Sequence, residues 1–189
     1  MSAEPVALPR RVLIDGRSGS GKTELARAVV SGWAGEPPPQ LVRLDDLYPG
    51  WDGLDAGSDA VPEILHAHRW QAWDWAENGP GMLHELDPGR PLVIEGVGAI
   101  SRRSKPLADA TLWVTLDDDT RKARALARDG ETFAPHWDRW ARHELEFIQR
   151  ERPERLADLV INGRSAELAW QEARAALFGG VQKLGYRRP

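Results

Sequence analysis

Cysteine is absent from the 189 residues of this chain. Its absence excludes disulfide bonds, thiolate zinc sites and cysteine nucleophiles together. Lysine is scarce, with four residues against 21 arginines, so a lysine within a motif is more informative than usual. Long apolar runs are also missing, and none approaches the length of a membrane span. Residues 1–10 lack the basic start and apolar centre of a secretory signal, so we expect a cytoplasmic protein without a membrane partner.

Excess positive charge is lacking as well, because the net charge is −4 at pH 7. Nucleic-acid binding depends on neutralising many phosphates, so this balance argues against a nucleic-acid partner. The length favours a single domain over 1–189 that is large enough for a full hydrophobic core. We expect a monomer or a homodimer.

A glycine-rich motif, G-x-x-x-x-G-K-[ST], follows a short aliphatic run at 12–14 and precedes a segment with helical apolar spacing. Glycines let backbone N–H groups turn inward around a phosphate, and the start of a helix adds further free N–H groups. The lysine would reach the outer phosphates, and the hydroxyl that follows it would hold Mg²⁺. The motif consists of Gly16, Arg17, Ser18, Gly19, Ser20, Gly21, Lys22 and Thr23.

Acidic residues follow two of the other apolar runs. Asp45 and Asp46 come after the run at 40–44, and Glu95 follows the run at 92–94. The carboxyl ends of parallel strands face the ligand crevice, so these acids are predicted at the same edge as the glycine-rich loop. One aspartate there would be a base for an acceptor hydroxyl, and Glu95 would act near Mg²⁺. The alternative for the aspartates is a helix cap or a turn before Pro49.

A basic helix is predicted after the run at 110–116. Arg121, Arg124 and Arg128 recur at spacings of three and four, which puts them on one helical face. Such a face suits a lid, at about 120–135, that closes on a transferring phosphoryl group. The alternative is a solvated amphipathic face.

The remaining segments carry weaker patterns. Residues 50–60 are predicted as a loop, and 61–75 as a helix with Pro62 in its first turn. Trp70, Trp73 and Trp75 do not form a narrow stripe, so some of them are predicted to line a pocket rather than a core. Residues 136–152 are predicted as an amphipathic helix that buries Leu145 and exposes Glu144. A last strand at 159–161 ends at Asn162, and the loop there would lie beside the glycine-rich loop, where Asn162 would touch an adenine base. The alternative is a plain turn.

The assembled order predicts a three-layer α/β fold with a mostly parallel, five-stranded central sheet. Four blocks at 14–23, 45–48, 93–96 and 119–129 resemble those of the uridine kinase-like P-loop kinases. The resemblance implies that Asp45 is the acceptor base, that Glu95 lies near Mg²⁺, and that the three arginines of the lid contact phosphates and substrate. The catalytic set it implies is Lys22, Asp45, Arg121, Arg124 and Arg128. Nucleotide contacts are expected from Gly16, Ser18, Gly19, Ser20, Gly21, Lys22, Thr23, Arg128 and Asn162, and metal contacts from Thr23, Asp45 and Glu95.

These expectations describe a small-molecule kinase that uses ATP and Mg²⁺. It would transfer a phosphoryl group from Mg·ATP to a hydroxyl of a small molecule, with a nucleoside as one candidate. Two alternatives remain: a regulatory ATPase without an acceptor, and a nucleoside monophosphate kinase. The segment at 51–75 lacks matches to the residues with which uridine kinases hold their nucleoside, so substrate identity does not follow from the resemblance.

Overall fold

The computed structural model describes residues 8–179. Its central sheet has five parallel strands in the order β2-β5-β1-β6-β7, and a separate antiparallel hairpin pairs β3 with β4. The strands are β1 (Arg11–Asp15), β2 (Gln40–Arg43), β3 (Arg69–Asp74), β4 (Gly79–Glu85), β5 (Leu92–Glu95), β6 (Ala110–Thr115) and β7 (Leu159–Asn162). The glycine-rich loop leaves the central strand of the sheet, so polar groups from strands on both sides can reach it.

Helices cover both faces of the sheet. They are α1 (Lys22–Ser31), α2 (Leu54–Ala67), α3 (Asp118–Phe133), α4 (Trp137–Glu151), α5 (Pro153–Leu156) and α6 (Ala166–Phe178). Helices α1 and α6 pack together against one face, while α2 and α4 lie on the other. Short 3₁₀ turns lie at Leu44–Asp46, Gly50–Asp52, Lys105–Leu107 and Ala134–His136. The predicted three-layer α/β fold with a five-stranded parallel sheet is confirmed.

Strand β1 shows how the sequence divides the core into two parts. Val12 and Ile14 join the cluster under α1 and α6, whereas Leu13 joins the cluster under α2 and α4. All three side chains are fully buried. Successive residues of a strand point to opposite faces, so a continuous aliphatic run is what a sheet covered on both faces requires.

The region 50–75 differs from the prediction. Helix α2 begins at Leu54 and ends at Ala67, so the predicted loop at 50–60 is wrong in its second half and Pro62 lies inside the helix. Gly57 lies within α2, at a position where a Cβ would lie 2.5 Å from the ring of Tyr48. The glycine therefore permits a close helix contact, although it resembles a loop signal in the sequence.

The second half of the predicted helix at 61–75 is a strand. His68 has a left-handed backbone (φ 52°) and ends α2, and β3 starts at the next residue. Strand β3 pairs with β4 in a hairpin whose turn is held by Asp74 Oδ1, which accepts from the N–H groups of Ala76 and Glu77. Tryptophan favours strands, and cross-strand contacts such as Trp70 stacked on His84 (4.2 Å) stabilise the pairing.

The buried face of helix α4 differs from the face that the sequence predicts. The buried residues are Trp137, Trp140, Glu144 and Phe147, while Leu145 is 46% exposed. The prediction that Glu144 is exposed and Leu145 buried is therefore wrong. Within residues 8–179, no helix is both long and apolar enough to span a membrane.

Candidate active site

The glycine-rich loop joins β1 to α1 and has a compact backbone that depends on its glycines. Gly19 (φ 78°) and Gly21 (φ 100°) adopt backbone angles that side chains disfavour. A Cβ on Gly19 would also lie 1.9 Å from the carbonyl oxygen of Arg121, so α3 packs directly on the loop. Helix α1 begins at Lys22, and the N–H groups of its first turn have no partners within the helix. The loop and the helix start together form a cradle that suits phosphate oxygens.

Thr23 and Glu95 meet at the mouth of this cradle. The Thr23 hydroxyl donates to Glu95 Oε1 over 3.0 Å, and Glu95 Oε2 is buried without a hydrogen bond among residues 8–179. Burial raises the pKa of the Glu95 carboxyl, while nearby Lys22 lowers it and Asp45 raises it. A buried carboxylate oxygen without a partner, next to a hydroxyl, has the chemistry of an Mg²⁺ site.

Arg43 links Glu95 to the first of the two aspartates. Its Nε lies 3.6 Å from Glu95 Oε1, and its Nη2 lies 3.7 Å from Asp45 Oδ2. Side-chain exposure is 37% for Arg43 and for Asp45, so both reach the surface of the site. The structure thus brings the ends of β2 and β5 together, with the Asp45 carboxylate and the buried Glu95 carboxylate both next to the Arg43 guanidinium.

Asp46 has different surroundings from Asp45. Burial raises the pKa of its carboxyl, Arg43 lowers it, Asp45 raises it, and His84 of the hairpin lowers it. No ion pair involving Asp46 is present in the described part of the chain at distances up to 4.0 Å. The ion pairs of Arg43 therefore connect Glu95 to Asp45 and not to Asp46.

The donor set fits Mg²⁺ rather than a metal held only by protein. No group of three or more histidine, aspartate or glutamate side chains in residues 8–179 is arranged as a metal site. Mg²⁺ usually takes one or two carboxylates and completes its shell with water and substrate phosphates. Thr23 and Glu95, with Asp45 nearby, carry oxygen atoms of the kind that Mg²⁺ prefers.

The three predicted lid arginines have separate environments. Arg121 is 4% exposed, and its Nε donates to Asp118 Oδ1 over 2.6 Å. Arg124 donates from Nη1 to the carbonyl of Gly163 and from Nη2 to that of Arg164, at 2.8 and 3.0 Å. Arg128 lies further along α3 and is exposed. Helix α3 breaks at Gly130 (φ 53°), inside the predicted lid region.

The loop after β7 lies against the glycine-rich loop, as the sequence predicts. A Cβ on Gly163 would lie 1.9 Å from the carbonyl oxygen of Ser20. Asn162 is exposed at the end of β7, and its Oδ1 accepts from the N–H of Arg164. The Asn162 side chain is therefore engaged in a turn next to the glycine-rich loop.

Aromatic side chains form one wall beside Asp45. Trp75 Nε1 donates to the carbonyl oxygen of Asp45 over 3.2 Å, and the Trp75 ring packs on Trp51 at 5.1 Å. Trp51 stacks on His136 at 4.4 Å and lies 6.3 Å from Trp140. Trp140 Nε1 in turn donates to Ser18 Oγ over 3.0 Å. The wall therefore runs from the aspartate to the glycine-rich loop, and its members come from the hairpin, the turn at 50–52 and helix α4.

Comparison with solved structures gives the same architecture. The chain is similar to a possible uridine kinase from Bacillus stearothermophilus, with a TM-score of 0.55 and 18% identity over 84% of this chain and 91% of that one. It is similar to a sugar kinase from Janibacter sp. HTCC2649, with a TM-score of 0.57 and 16% identity over 88% and 92%. This chain has a P-loop kinase fold.

A third similar structure is shikimate kinase from Acinetobacter baumannii in complex with shikimate, with a TM-score of 0.56 and 12% identity over 93% of this chain and 97% of that one. The resemblance to P-loop kinases seen in the sequence is therefore confirmed at the level of fold. No protein-family model matches the chain, and no curated protein sequence matches it significantly.

Several residues around the glycine-rich loop at 16–23, the P-loop of this fold, were not assigned a role from the sequence. Asp15 is fully buried and accepts hydrogen bonds from the N–H groups of Gly16, Gly98 and Ile100 at 2.6–3.1 Å. It therefore ties the start of the P-loop to the loop that follows Glu95. Its signal in the sequence is an acid that directly follows an aliphatic strand, the same pattern that identified Glu95.

Arg17 and Glu144 form a second support of the P-loop. Arg17 Nε donates to Glu144 Oε2 over 3.0 Å, and Arg17 Nη1 donates to Asp118 Oδ1 over 2.9 Å. Arg17 occupies a variable position of the motif, so the motif itself did not indicate this role. Glu144 lies on α4, far away in the sequence, and only the folded chain brings it to the P-loop.

Proposed function

We propose that this chain transfers a phosphoryl group from Mg·ATP to a hydroxyl group of a small molecule. The observation that carries the proposal is the position of Asp45 beside Glu95, through Arg43, at the edge of the P-loop. A protein that only binds ATP does not need a second carboxylate, 37% exposed, next to the one that would serve the metal. The fold shared with small-molecule kinases supports the same conclusion.

In the proposed reaction, the P-loop amides and Lys22 hold the phosphates of the donor. Thr23 and Glu95 would hold Mg²⁺, which would supply positive charge to neutralise the phosphate oxygens. Asp45 accepts the proton of the acceptor hydroxyl while that oxygen forms a bond to the terminal phosphorus. The bond between this phosphorus and the bridging oxygen of ADP breaks, and Arg121 stabilises the developing negative charge.

The acceptor side of the site supports a small ring-containing alcohol, with a nucleoside as the first candidate. Trp75 is 42% exposed beside the backbone of Asp45, and an exposed indole face is a suitable surface for a flat ring. A nucleoside monophosphate is a poorer candidate. Asp45 and Asp46 lie side by side there, and Arg43 is already close to two carboxylates.

The test is ATP turnover in a coupled assay with Mg²⁺ and a panel of nucleosides, nucleoside monophosphates, sugars, pantothenate-like alcohols and hydroxylated antibiotics. One acceptor class should raise turnover well above the rate without acceptor. Asp45→Asn should then lower kcat by at least about 100-fold with little change in the KM for ATP. Lys22→Ala should remove both nucleotide binding and turnover.

Asp46→Asn is the matched comparison, because it makes the same chemical change one residue away. It should retain most of the turnover. If Asp46→Asn loses turnover and Asp45→Asn keeps it, the base is Asp46. Turnover that is equal with every acceptor and in both variants would identify a regulatory ATPase instead of a kinase.

A further inference from the structure

One buried carboxylate joins the P-loop to the basic helix. Glu144 is fully buried in the middle of α4, and both of its oxygens are engaged. Oε1 accepts from the backbone N–H of Ser18 over 2.8 Å. Oε2 accepts from Arg17 Nε over 3.0 Å and lies 3.6 Å from Arg121 Nη1. Glu144 therefore contacts the P-loop backbone, a P-loop side chain and the first arginine of α3.

Arg121 is held on several sides by this arrangement. Its Nε is bound by Asp118, and its guanidinium lies over the ring of Trp137 at 5.4 Å from the centroid. Its backbone carbonyl lies against Gly19 of the P-loop. Its Nη1 is buried but makes no hydrogen bond among residues 8–179. A guanidinium has five N–H donors, and the unpaired Nη1 shows that this buried cation, whose backbone packs on Gly19, is not fully satisfied by its protein neighbours.

Packing alone does not explain a charge at this position. The neighbouring buried residues of α4, Trp140 and Phe147, already supply apolar contacts to the same face of the helix. A buried carboxylate is costly unless it is paired, and replacement of a whole buried ion pair by apolar side chains of similar volume is often neutral or stabilising. Orientation of a partner is the contribution that an apolar residue cannot replace.

We propose that Glu144 is a positioning residue that holds Arg121 against the P-loop, where Arg121 recognises the terminal phosphate of the bound nucleotide. The proposal rests on nucleotide binding at the proposed active site, but it does not depend on the acceptor. Glu144 itself does not touch the nucleotide. Its effect is a preference for a nucleoside triphosphate over a diphosphate, transmitted through Arg121.

The experiment measures nucleotide affinity by calorimetry with Mg²⁺, using ADP and the non-hydrolysable ATP analogue AMP-PNP. Wild-type protein should prefer AMP-PNP. Glu144→Gln preserves the size of the side chain and removes its charge, and we expect the ratio of the two dissociation constants to fall about tenfold. Arg121→Ala should cause an equal loss, and the double variant should lose no more than Arg121→Ala alone.

Two further variants separate positioning from stability. Glu146→Gln makes the same change at an exposed position two residues along α4, and it should leave the ratio unchanged. Glu144→Leu replaces the carboxylate with an apolar side chain, and it should lose the preference while thermal unfolding stays cooperative. If Glu144→Gln and Glu144→Leu both fail to fold, or if the losses of Glu144→Gln and Arg121→Ala add in the double variant, the role is structural and the proposal fails.

The two proposals fail in different ways. Binding of neither nucleotide by wild-type protein would contradict the proposed function as well as the role of Glu144. A wild-type preference for AMP-PNP that survives in Glu144→Gln contradicts the role of Glu144 alone. If no acceptor in the panel raises ATP turnover, the kinase proposal is contradicted. The ratio of the two dissociation constants then still tests the role of Glu144.

Discussion

Substitution of Gly163 by alanine tests whether the loop after β7 supports the P-loop. The added Cβ would lie 1.9 Å from the carbonyl oxygen of Ser20, whereas real Cβ contacts are essentially never below 3.0 Å. The P-loop and the loop after β7 would therefore have to separate by at least about 1.1 Å. Overpacking of this kind costs about 1–3 kcal/mol. Each kcal/mol lowers the Tm of a domain of this size by about 2–4 °C.

Nucleotide affinity should fall together with stability. Hydrogen bonds from the P-loop amides require distances of about 2.7–3.2 Å, so a displacement of this size removes at least one of them. A hydrogen bond to a charged group contributes about 1.5–3 kcal/mol, and its loss raises the Kd for Mg·ATP at least about tenfold. Calorimetric titration of Mg·ATP and a thermal melt of the same sample measure both effects.

Gly79→Ala is the matched control for this prediction. The nearest atom to its new Cβ lies at 3.8 Å, an ordinary contact, so affinity and Tm should stay close to those of the wild type. If Gly163→Ala also binds Mg·ATP with wild-type affinity, the P-loop does not depend on the loop after β7, and the reasoning is refuted.

Two other predictions concern the Mg²⁺ dependence of ATP binding and the pH dependence of the free energy of unfolding. Thr23→Val removes the hydroxyl next to Glu95 Oε1, so the Mg²⁺ concentration for half-maximal ATP binding should rise about tenfold, while Thr23→Ser should stay near wild type. Burial raises the pKa of Asp15 to about 7, while three backbone hydrogen bonds and Lys22 lower it. Between about pH 4 and pH 7, the Asp15 carboxyl therefore keeps its proton in the folded state and has released it in the unfolded state. The free energy of unfolding then falls as pH rises, by at most about 1.4 kcal/mol per pH unit. Urea unfolding across this window should show a steeper decline for the wild type than for Asp15→Asn, and equal slopes would contradict the assignment.

The sequence alone was sufficient to predict the features that depend on the order of segments along the chain. Neighbours in the chain must also be neighbours in space. This holds for the short aliphatic run, the glycine-rich loop with its lysine, and the helix that follows. Acids at the ends of aliphatic runs were placed correctly at one edge of the sheet, since parallel strands bring their carboxyl ends together. Thr23, Asp45 and Glu95 therefore meet as the strand pattern predicts.

The hairpin and the buried face of α4 depended on contacts between distant residues. The segment at 69–74 has residues compatible with either helix or strand, and pairing with β4 decides in favour of the strand. On α4, hydrophobicity favoured burial of Leu145 over Glu144. In the fold, Glu144 is buried because the N–H of Ser18, which lies 126 residues away in the sequence, donates to its carboxylate. The spacing of apolar residues along the sequence indicates which side chains favour burial. A buried charge is stable only where the tertiary structure brings hydrogen-bond or ion-pair partners to it.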